Sequence, residues 1–553
     1  TPTPPTPRRS TRPRWAGGTA PTRPASTTRS VLAPRCSTAP TMNPRAATMR
    51  SKPPTGRRSS TTLCRPAAPR CVWPTKATST NSDPAAPMQR IAPGPAHALY
   101  TAGATRALEA TAAAALPPHT LMQRAGLSTA RLALALAPHA QRWWIACGPG
   151  NNGGDGLEAA LHLQAWGKTP FVSWLGSPEH APADARASHA RAVAAGVPFV
   201  SEPPSDCEAA IDALLGTGPA RAPEGQLAQW ITQLNALNVP VLAVDLPSGL
   251  DADTGRAWET SVRATHTLSL LTLKPGLYTG QGRDHCGEVW FDTLGVDATS
   301  HPPQALLNAA PAPSVRRHAS HKGNYGDVAV IGGAPGMGGA ALLAARAALH
   351  HGAGRVYVGL LDGSGLLLDP GQPELMLRDA AALDPAALSV VAGCGGGDAI
   401  RAVLPRLLSA SQRLVLDADA LNAIARDAQL QTQLRARQGR GHATVLTPHP
   451  LEAARLLGCS AAEVQQDRLH AAQALAQRHQ ACVVLKGSGT VIAAPEARPV
   501  INPTGNARLA TAGTGDVLAG LIGARLAAGA SALDAACAAV WLHGLVADAW
   551  PPN

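Results

Sequence analysis

The sequence predicts an α/β protein in two globular units, each a largely parallel sheet covered by helices. Three observations carry this. The 553 residues exceed one ordinary domain and suffice for two cores. From Leu99 onward short apolar runs alternate with Ala- and Leu-rich helical stretches, the rhythm of strand–helix–strand units. Two Gly-rich segments each follow an expected strand and lead into a helix, the place where an open α/β sheet forms its ligand crevice.

Residues 1–87 hold fifteen Lys or Arg and a single acidic residue, Asp83, a balance of +14 in a chain of formal net charge +12. The rest is therefore near −2, so the folded part carries no basic excess and no nucleic-acid partner is expected. The 1–87 segment, rich in Pro, Arg, Ser and Thr, lacks apolar periodicity and is expected to be a disordered basic extension. It shares the bias of organelle transit peptides but no amphipathic helix, and Met88 begins a sequence of different character. Ten cysteines without CxxC pairs fit a reduced, cytoplasmic setting and argue against structural zinc. No run of about 18 apolar residues exists, so no membrane span is expected.

In the first unit, expected over 88–305, Arg142-Trp-Trp-Ile-Ala-Cys147, Pro170-Phe-Val-Ser-Trp174 and Val239-Pro-Val-Leu-Ala-Val-Asp245 read as strands, with a helix over 157–166. The prolines between His301 and Pro313 mark a linker that should avoid both helix and sheet. The second unit, 306–553, brings strands at 326–332, 355–358, 413–417, 443–446 and 481–485.

Gly148-Pro-Gly-Asn-Asn-Gly-Gly-Asp-Gly156 should make a tight turn whose backbone amides converge beside a helix start, a cradle for phosphate. Ile211-Asp-Ala-Leu-Leu-Gly-Thr-Gly218 and Val244-Asp-Leu-Pro-Ser-Gly-Leu-Asp251 should end on the same rim. Oxygens of Asn152, Asp212 and Ser248 suit a hard monovalent cation, and Asp245 suits acid–base work. Each alone could equally be a cap or a turn residue. In the second unit Gly513-Thr-Gly-Asp516 opens a helix expected over 516–526, whose amides can stabilise charge on a transferring phosphoryl group while Asp516 takes a proton from a hydroxyl. Lys486-Gly-Ser-Gly-Thr490 follows a strand and suits nucleotide phosphates, and His449 is a candidate substrate contact.

Leu121-Met-Gln-Arg-Ala-Gly126, the Asn-Asn-Gly-Gly-Asp segment, Gly216-Thr-Gly218 and Val244-Asp-Leu-Pro-Ser-Gly249 together resemble the NAD(P)H-hydrate epimerase family. That resemblance implies a Rossmann-like three-layer fold. It implies K+ on Asn152, Asp212 and Ser248, and substrate around Asn151, Asn152, Gly153, Gly154, Asp155, Gly216, Thr217, Gly218, Pro219, Ala220, Arg221, Ala222 and Asp245. His321-Lys-Gly-Asn-Tyr-Gly-Asp327, Gly332-Gly-Ala-Pro-Gly-Met-Gly-Gly-Ala340, Leu416-Asp-Ala-Asp-Ala-Leu-Asn422 and Thr447-Pro-His-Pro-Leu-Glu452 resemble the ADP-dependent NAD(P)H-hydrate dehydratase family, of ribokinase-like fold. By that resemblance Ala340, Gly395, His449 and Asp516 face substrate, with Asp516 catalytic. Lys486, Gly487, Ser488, Gly489, Thr490 and Gly515 face ADP, which brings Mg2+. Gly393-Cys-Gly-Gly-Gly397 departs from that family's Gly-Pro-Gly-Leu-Gly, and the chain's end at Asn553 falls short of its usual last helical segment.

The two resemblances joined imply a bifunctional repair activity on hydrated NADH and NADPH (NADHX and NADPHX). The R and S forms would be epimerised and the S form dehydrated at the expense of ADP, releasing AMP and phosphate. A homo-oligomer is expected. The alternative is a ribokinase-like small-molecule kinase, such as a vitamin-precursor kinase, fused to a non-catalytic Rossmann-like binding module.

Overall fold

A computed structural model describes residues 88–218, 221–313, 315–363 and 365–551. The basic stretch 1–87 and the expected site residues Pro219 and Ala220 lie outside them.

The first sheet has seven strands in the order Gln89–Arg90, Glu288–Asp292, His266–Leu270, Val241–Val244, Ala209–Ala213, Arg142–Cys147, Thr169–Trp174. All neighbours run parallel except the edge strand Gln89–Arg90. Because successive side chains of a strand point to opposite faces, Trp143, Ile145 and Cys147 pack with Leu132, Leu157 and Leu163 of the helices Thr120–Leu136 and Asn151–Ala165. Trp144 and Ala146 pack on the other face with Trp230, Ile231 and Leu234 of the helix Gly225–Ala236. Apolar side chains on both faces are what a parallel sheet between two helical layers requires.

The second sheet has eleven strands. Six strands after Met376–Leu377 run parallel to their neighbours: Arg355–Leu360, Asp327–Gly332, Ser389–Ala392, Arg413–Leu416, Ala443–Leu446 and Cys482–Leu485. Antiparallel strands Val491–Ala493 and Val500–Ile501 follow, a hairpin extension that the sequence reading missed. Val328 and Val330 meet the helices Gly338–His350, Thr514–Ala527 and Ala532–Asp548, while Ala329 and Ile331 meet those on the opposite face.

Two expectations are corrected. The stretch between His301 and Pro313 is not free of sheet: Ala305–Leu307 forms a strand parallel to Val500–Ile501, fitted between the prolines at 302–303 and 311. The helix expected from 157 begins at Asn151, so the Asn-Asn-Gly-Gly-Asp segment is a helical first turn and a half, not a loop. In addition, His97–Leu99 pairs antiparallel to Ala305–Leu307, so the amino-terminal half lends its own strand to the second sheet. Leu99, Leu277, Leu307 and Ile501 are buried in one shared cluster. Burial of such side chains is worth about 1.5–3 kcal/mol each. Among the described residues no helix is long and apolar enough to cross a membrane.

Both sheets place a topological switch at the first long strand. The strand Arg142–Cys147 lies between Thr169–Trp174 and Ala209–Ala213, and Asp327–Gly332 lies between Arg355–Leu360 and Ser389–Ala392. Connections leave such a strand in opposite directions and open a crevice beyond its carboxyl end.

Candidate active sites

Above the switch of the first sheet is a cavity of about 840 Å³, the size of a ligand site. Of the residues that the sequence reading set around substrate, Asn151, Asn152, Asp155, Gly216, Thr217, Gly218, Arg221 and Asp245 line it, and Gly153, Gly154 and Ala222 do not. The glycines act by proximity. None of those between 148 and 156 has positive φ, but a Cβ on Gly153 would run into the carbonyl oxygen of Gly148, and one on Gly148 into that of Leu214.

Asp245 follows the strand Val241–Val244 in the left-handed region, φ 67°, an uncommon conformation for a residue with a side chain. Its carboxylate is ion-paired with Lys274, a fully buried lysine whose ammonium also donates to the Leu270 carbonyl at 2.8 Å and Ser269 Oγ at 3.3 Å. Burial, and after it the charges of Asp245 and Glu109, push the Asp155 carboxyl well above the usual range. Glu109, on the helix Ala102–Ala114, is likewise raised by burial and by Asp245.

Asp212 and Ser248 lie together and fully buried: Ser248 Oγ donates to Asp212 Oδ1 at 2.6 Å and Ser248 N to Oδ2 at 2.8 Å. Burial nonetheless lifts Asp212 to about 6. Asn152 is close by through Gly216, whose Cβ position is 3.2 Å from Asn152 Oδ1, and its Nδ2 is buried without a partner.

In the second sheet four strand ends converge on the start of the helix Thr514–Ala527. Asp417, just after Arg413–Leu416, accepts from Lys486 Nζ at 2.8 Å and from Thr447 Oγ1 at 2.7 Å. Ligand atoms of Cys394, Asp417 and Asp516 all lie within 4.8 Å of one another. Burial and the neighbouring Asp417 carboxylate raise Asp516 to about 6. Burial alone would depress Lys486, yet Asp417 and Glu452 outweigh it and leave its ammonium more strongly protonated than usual. Gly515 sits against that ammonium, its Cβ position 3.3 Å from Nζ. In the first turn the Thr514 amide donates to the Thr511 carbonyl at 3.4 Å, whereas the Gly515 and Asp516 amides have no intrahelical acceptor and can face an anion.

Ala340, in the first turn of Gly338–His350, abuts Gly395: a Cβ on the glycine would be 2.9 Å from that of Ala340. Ala340 lies at the start of the helix that follows the switch strand Asp327–Gly332, and Gly395 in the turn after the strand Ser389–Ala392. His449 caps the helix Pro450–Leu457, its Nδ1 accepting from Leu451 N at 3.1 Å while Glu452 Oε2 accepts from His449 N at 2.8 Å. Its Nε2 faces Glu452 at 3.3 Å, and burial, then Lys486, hold its pKa below the usual imidazole value.

The sequence reading assigned no role to Lys274, Asp417, Glu452 or Arg468. Asp417 stood in a quoted motif. Lys274 could have been found as a lone lysine among apolar residues just beyond a strand, four residues past Leu270.

Comparison with known proteins adds the following. A family model described as NAD(P)H-hydrate dehydratase matches residues 328–553, and one described as YjeF-related protein N-terminus matches 118–276. The bifunctional NAD(P)H-hydrate repair enzyme Nnr of Escherichia coli (strain K12) is 38% identical over 459 residues, 80% of this chain and 87% of that protein. The enzyme of the same name from Coxiella burnetii is 37% identical over 472 residues, 81% of this chain and 94% of that one. A crystal structure of the ADP/ATP-dependent NAD(P)H-hydrate dehydratase of Bacillus subtilis, co-crystallised with ATP/Mg2+, is 33% identical, with a TM-score of 0.39 over 43% of this chain and 86% of that chain.

Proposed function

The chain belongs to the bifunctional NAD(P)H-hydrate repair enzyme family, and from that premise we propose how its two crevices divide the work. Residues 88–305 epimerise the R and S hydrates of NADH and NADPH, and 306–553 dehydrate the S form with ADP. The observation that carries this is Asp516: a carboxylate at a helix start, raised to about 6 and set beside the Lys486 ammonium.

Such a group is a competent base near neutral pH. Asp516 takes the proton of the C6 hydroxyl, whose oxygen bonds to the β-phosphorus of ADP and releases AMP. The C6–O bond then breaks, phosphate departs, and the ring regains its double bond as a proton is lost. Lys486 and the amides of Gly515 and Asp516 hold the phosphoryl charge. Gly487, Ser488, Gly489 and Thr490 seat the diphosphate, and Ala340, Gly395 and His449 face the dihydropyridine.

In the first crevice Asp245 carries the proton that inversion at C6 requires, with Lys274 holding its carboxylate. Asn151, Asn152, Gly153, Gly154, Asp155, Gly216, Thr217, Gly218, Pro219, Ala220, Arg221 and Ala222 surround the substrate. An ion pair whose carboxylate lines the cavity supports proton transfer there over a non-catalytic binding module.

Potassium fits the oxygens of Asp212, Ser248 and Asn152. Among the described residues Asp212 is a buried carboxylate with no cationic partner, and an Asn152 amide rotated to exchange its O and N would offer oxygen where Nδ2 is now orphaned. The ion would supply charge balance beneath the cavity floor. Magnesium fits only as an ion carried by the nucleotide: the thiol of Cys394 and the Lys486 ammonium on Asp417 make a poor cage for a hard cation. The enzyme acts in the cytoplasm as a homo-oligomer, without nucleic-acid or membrane partners.

The test is recovery of the near-ultraviolet absorbance of reduced nicotinamide from a mixed R and S hydrate with ADP, Mg2+ and K+. Full recovery supports both activities; recovery that stops at the S fraction excludes the epimerase; none excludes the dehydratase.

A further inference from the structure

The loop 486–490 is fixed from beneath by Arg468 of its own half and by Thr279 of the other half. Arg468, in the helix Arg468–His479, is 1% exposed and donates from one terminal nitrogen to the carbonyls of Leu485 at 3.1 Å and Lys486 at 3.2 Å. Its Nε donates to Thr279 Oγ1 at 3.2 Å, and the same hydroxyl donates to the carbonyl of Gly489 at 3.2 Å. Thr279 is fully buried. Gly489, φ 59°, lies so close to residue 278 that a Cβ would strike the Tyr278 carbonyl oxygen.

One hydroxyl therefore ties the guanidinium to the loop it supports, and it comes from the segment that follows Lys274. An ordinary interdomain contact would bury apolar surface; this one satisfies the backbone carbonyls at both ends of a loop. A loop whose amides must converge on phosphate gains from being held before ligand arrives, because ordering it on binding costs affinity.

We infer that Thr279 and Arg468 are positioning residues for ADP, so that the amino-terminal half sets the nucleotide affinity of the carboxy-terminal active site. The inference rests on the reading of 486–490 as the nucleotide loop. Arg468 touches no substrate; it acts through the carbonyls of Leu485 and Lys486, and Thr279 acts through Arg468 and Gly489.

The experiment is calorimetric titration of full-length protein with ADP, with dehydratase kinetics, epimerase rate and thermal unfolding measured alongside. Thr279→Val, which keeps the shape and deletes both hydrogen bonds, should weaken ADP binding about five- to tenfold. It should raise the KM for ADP by the same factor and leave the epimerase rate unchanged, and Thr279→Ser should restore wild-type affinity. Arg468→Lys carries the same expectation if the valine variant does not accumulate. Unchanged ADP affinity in these variants, or a loss that Thr279→Ser does not reverse, overturns the inference. A fall in epimerase rate and melting temperature in step with affinity also overturns it, since that marks a purely structural contact. Wild type that does not bind ADP, or a Lys486→Gln variant that binds it unchanged, refutes the reading of the loop itself and the inference with it.

Discussion

Replacing Lys274 by Met should destabilise the amino-terminal half far more than replacing its partner Asp245 by Asn. Lys274 is fully buried and Asp245 is 8% exposed, so each charge is compensated mainly by the other. Deleting the lysine leaves a buried carboxylate that still accepts from the Leu270 amide at 3.2 Å, and breaking such a pair costs about 3–5 kcal/mol. Deleting the carboxylate charge leaves the ammonium with the Leu270 carbonyl, Ser269 Oγ and the oxygen of the new amide, which should limit the cost to about 1–3 kcal/mol. The double variant Lys274→Met, Asp245→Asn removes both charges and should recover much of the loss, a coupling of about 2 kcal/mol or more. Urea unfolding followed by tryptophan fluorescence reads this half, whose core contains Trp143, Trp144 and Trp230. A double variant as unstable as the sum of the singles would show that the two groups do not compensate each other, and the account of Asp245 as a held carboxylate would fall.

Other outcomes follow from the same geometry. Asp516→Asn should abolish dehydration; because Asp516 must be ionised to act and is raised to about 6, wild-type kcat/KM should fall as pH drops through that value, checked by a pH–rate profile. The sign for stability is opposite: a carboxyl with a raised folded pKa weakens the fold once pH exceeds its unfolded value, so Asp516→Asn should melt slightly higher than wild type at pH 7. Potassium in place of a bulky organic cation should raise the melting temperature of wild type and have no such effect on Asp212→Asn, measured by differential scanning calorimetry. Gly153→Ala should cost about 1–3 kcal/mol in unfolding free energy, because its Cβ meets a backbone oxygen that cannot swing aside.

The sequence by itself determined what depends on local pattern. Strands such as Arg142–Cys147 and Ala443–Leu446 appear at the expected residues, because a strand buried on both faces must be continuously apolar and needs a break at each end. Asp245 and Lys486 follow strands and Asp516 lies in the first turn of a helix after a Gly-rich turn, positions legible from local pattern alone. Tertiary structure alone decided what depends on distance through space. The glycines of 148–156 read as a turn because glycine signals one, whereas they are needed for close approach of Gly148 to Leu214 and of Gly153 to Gly148. Lys274 and Asp245 are 29 residues apart, and Thr279 and Arg468 are 189 apart. No period or spacing links such pairs, because each contact exists only once the elements that carry its two residues have packed together. The strand Ala305–Leu307 was hidden for the same reason: three residues between prolines have no strand signal of their own and become one by pairing with His97–Leu99 and Val500–Ile501.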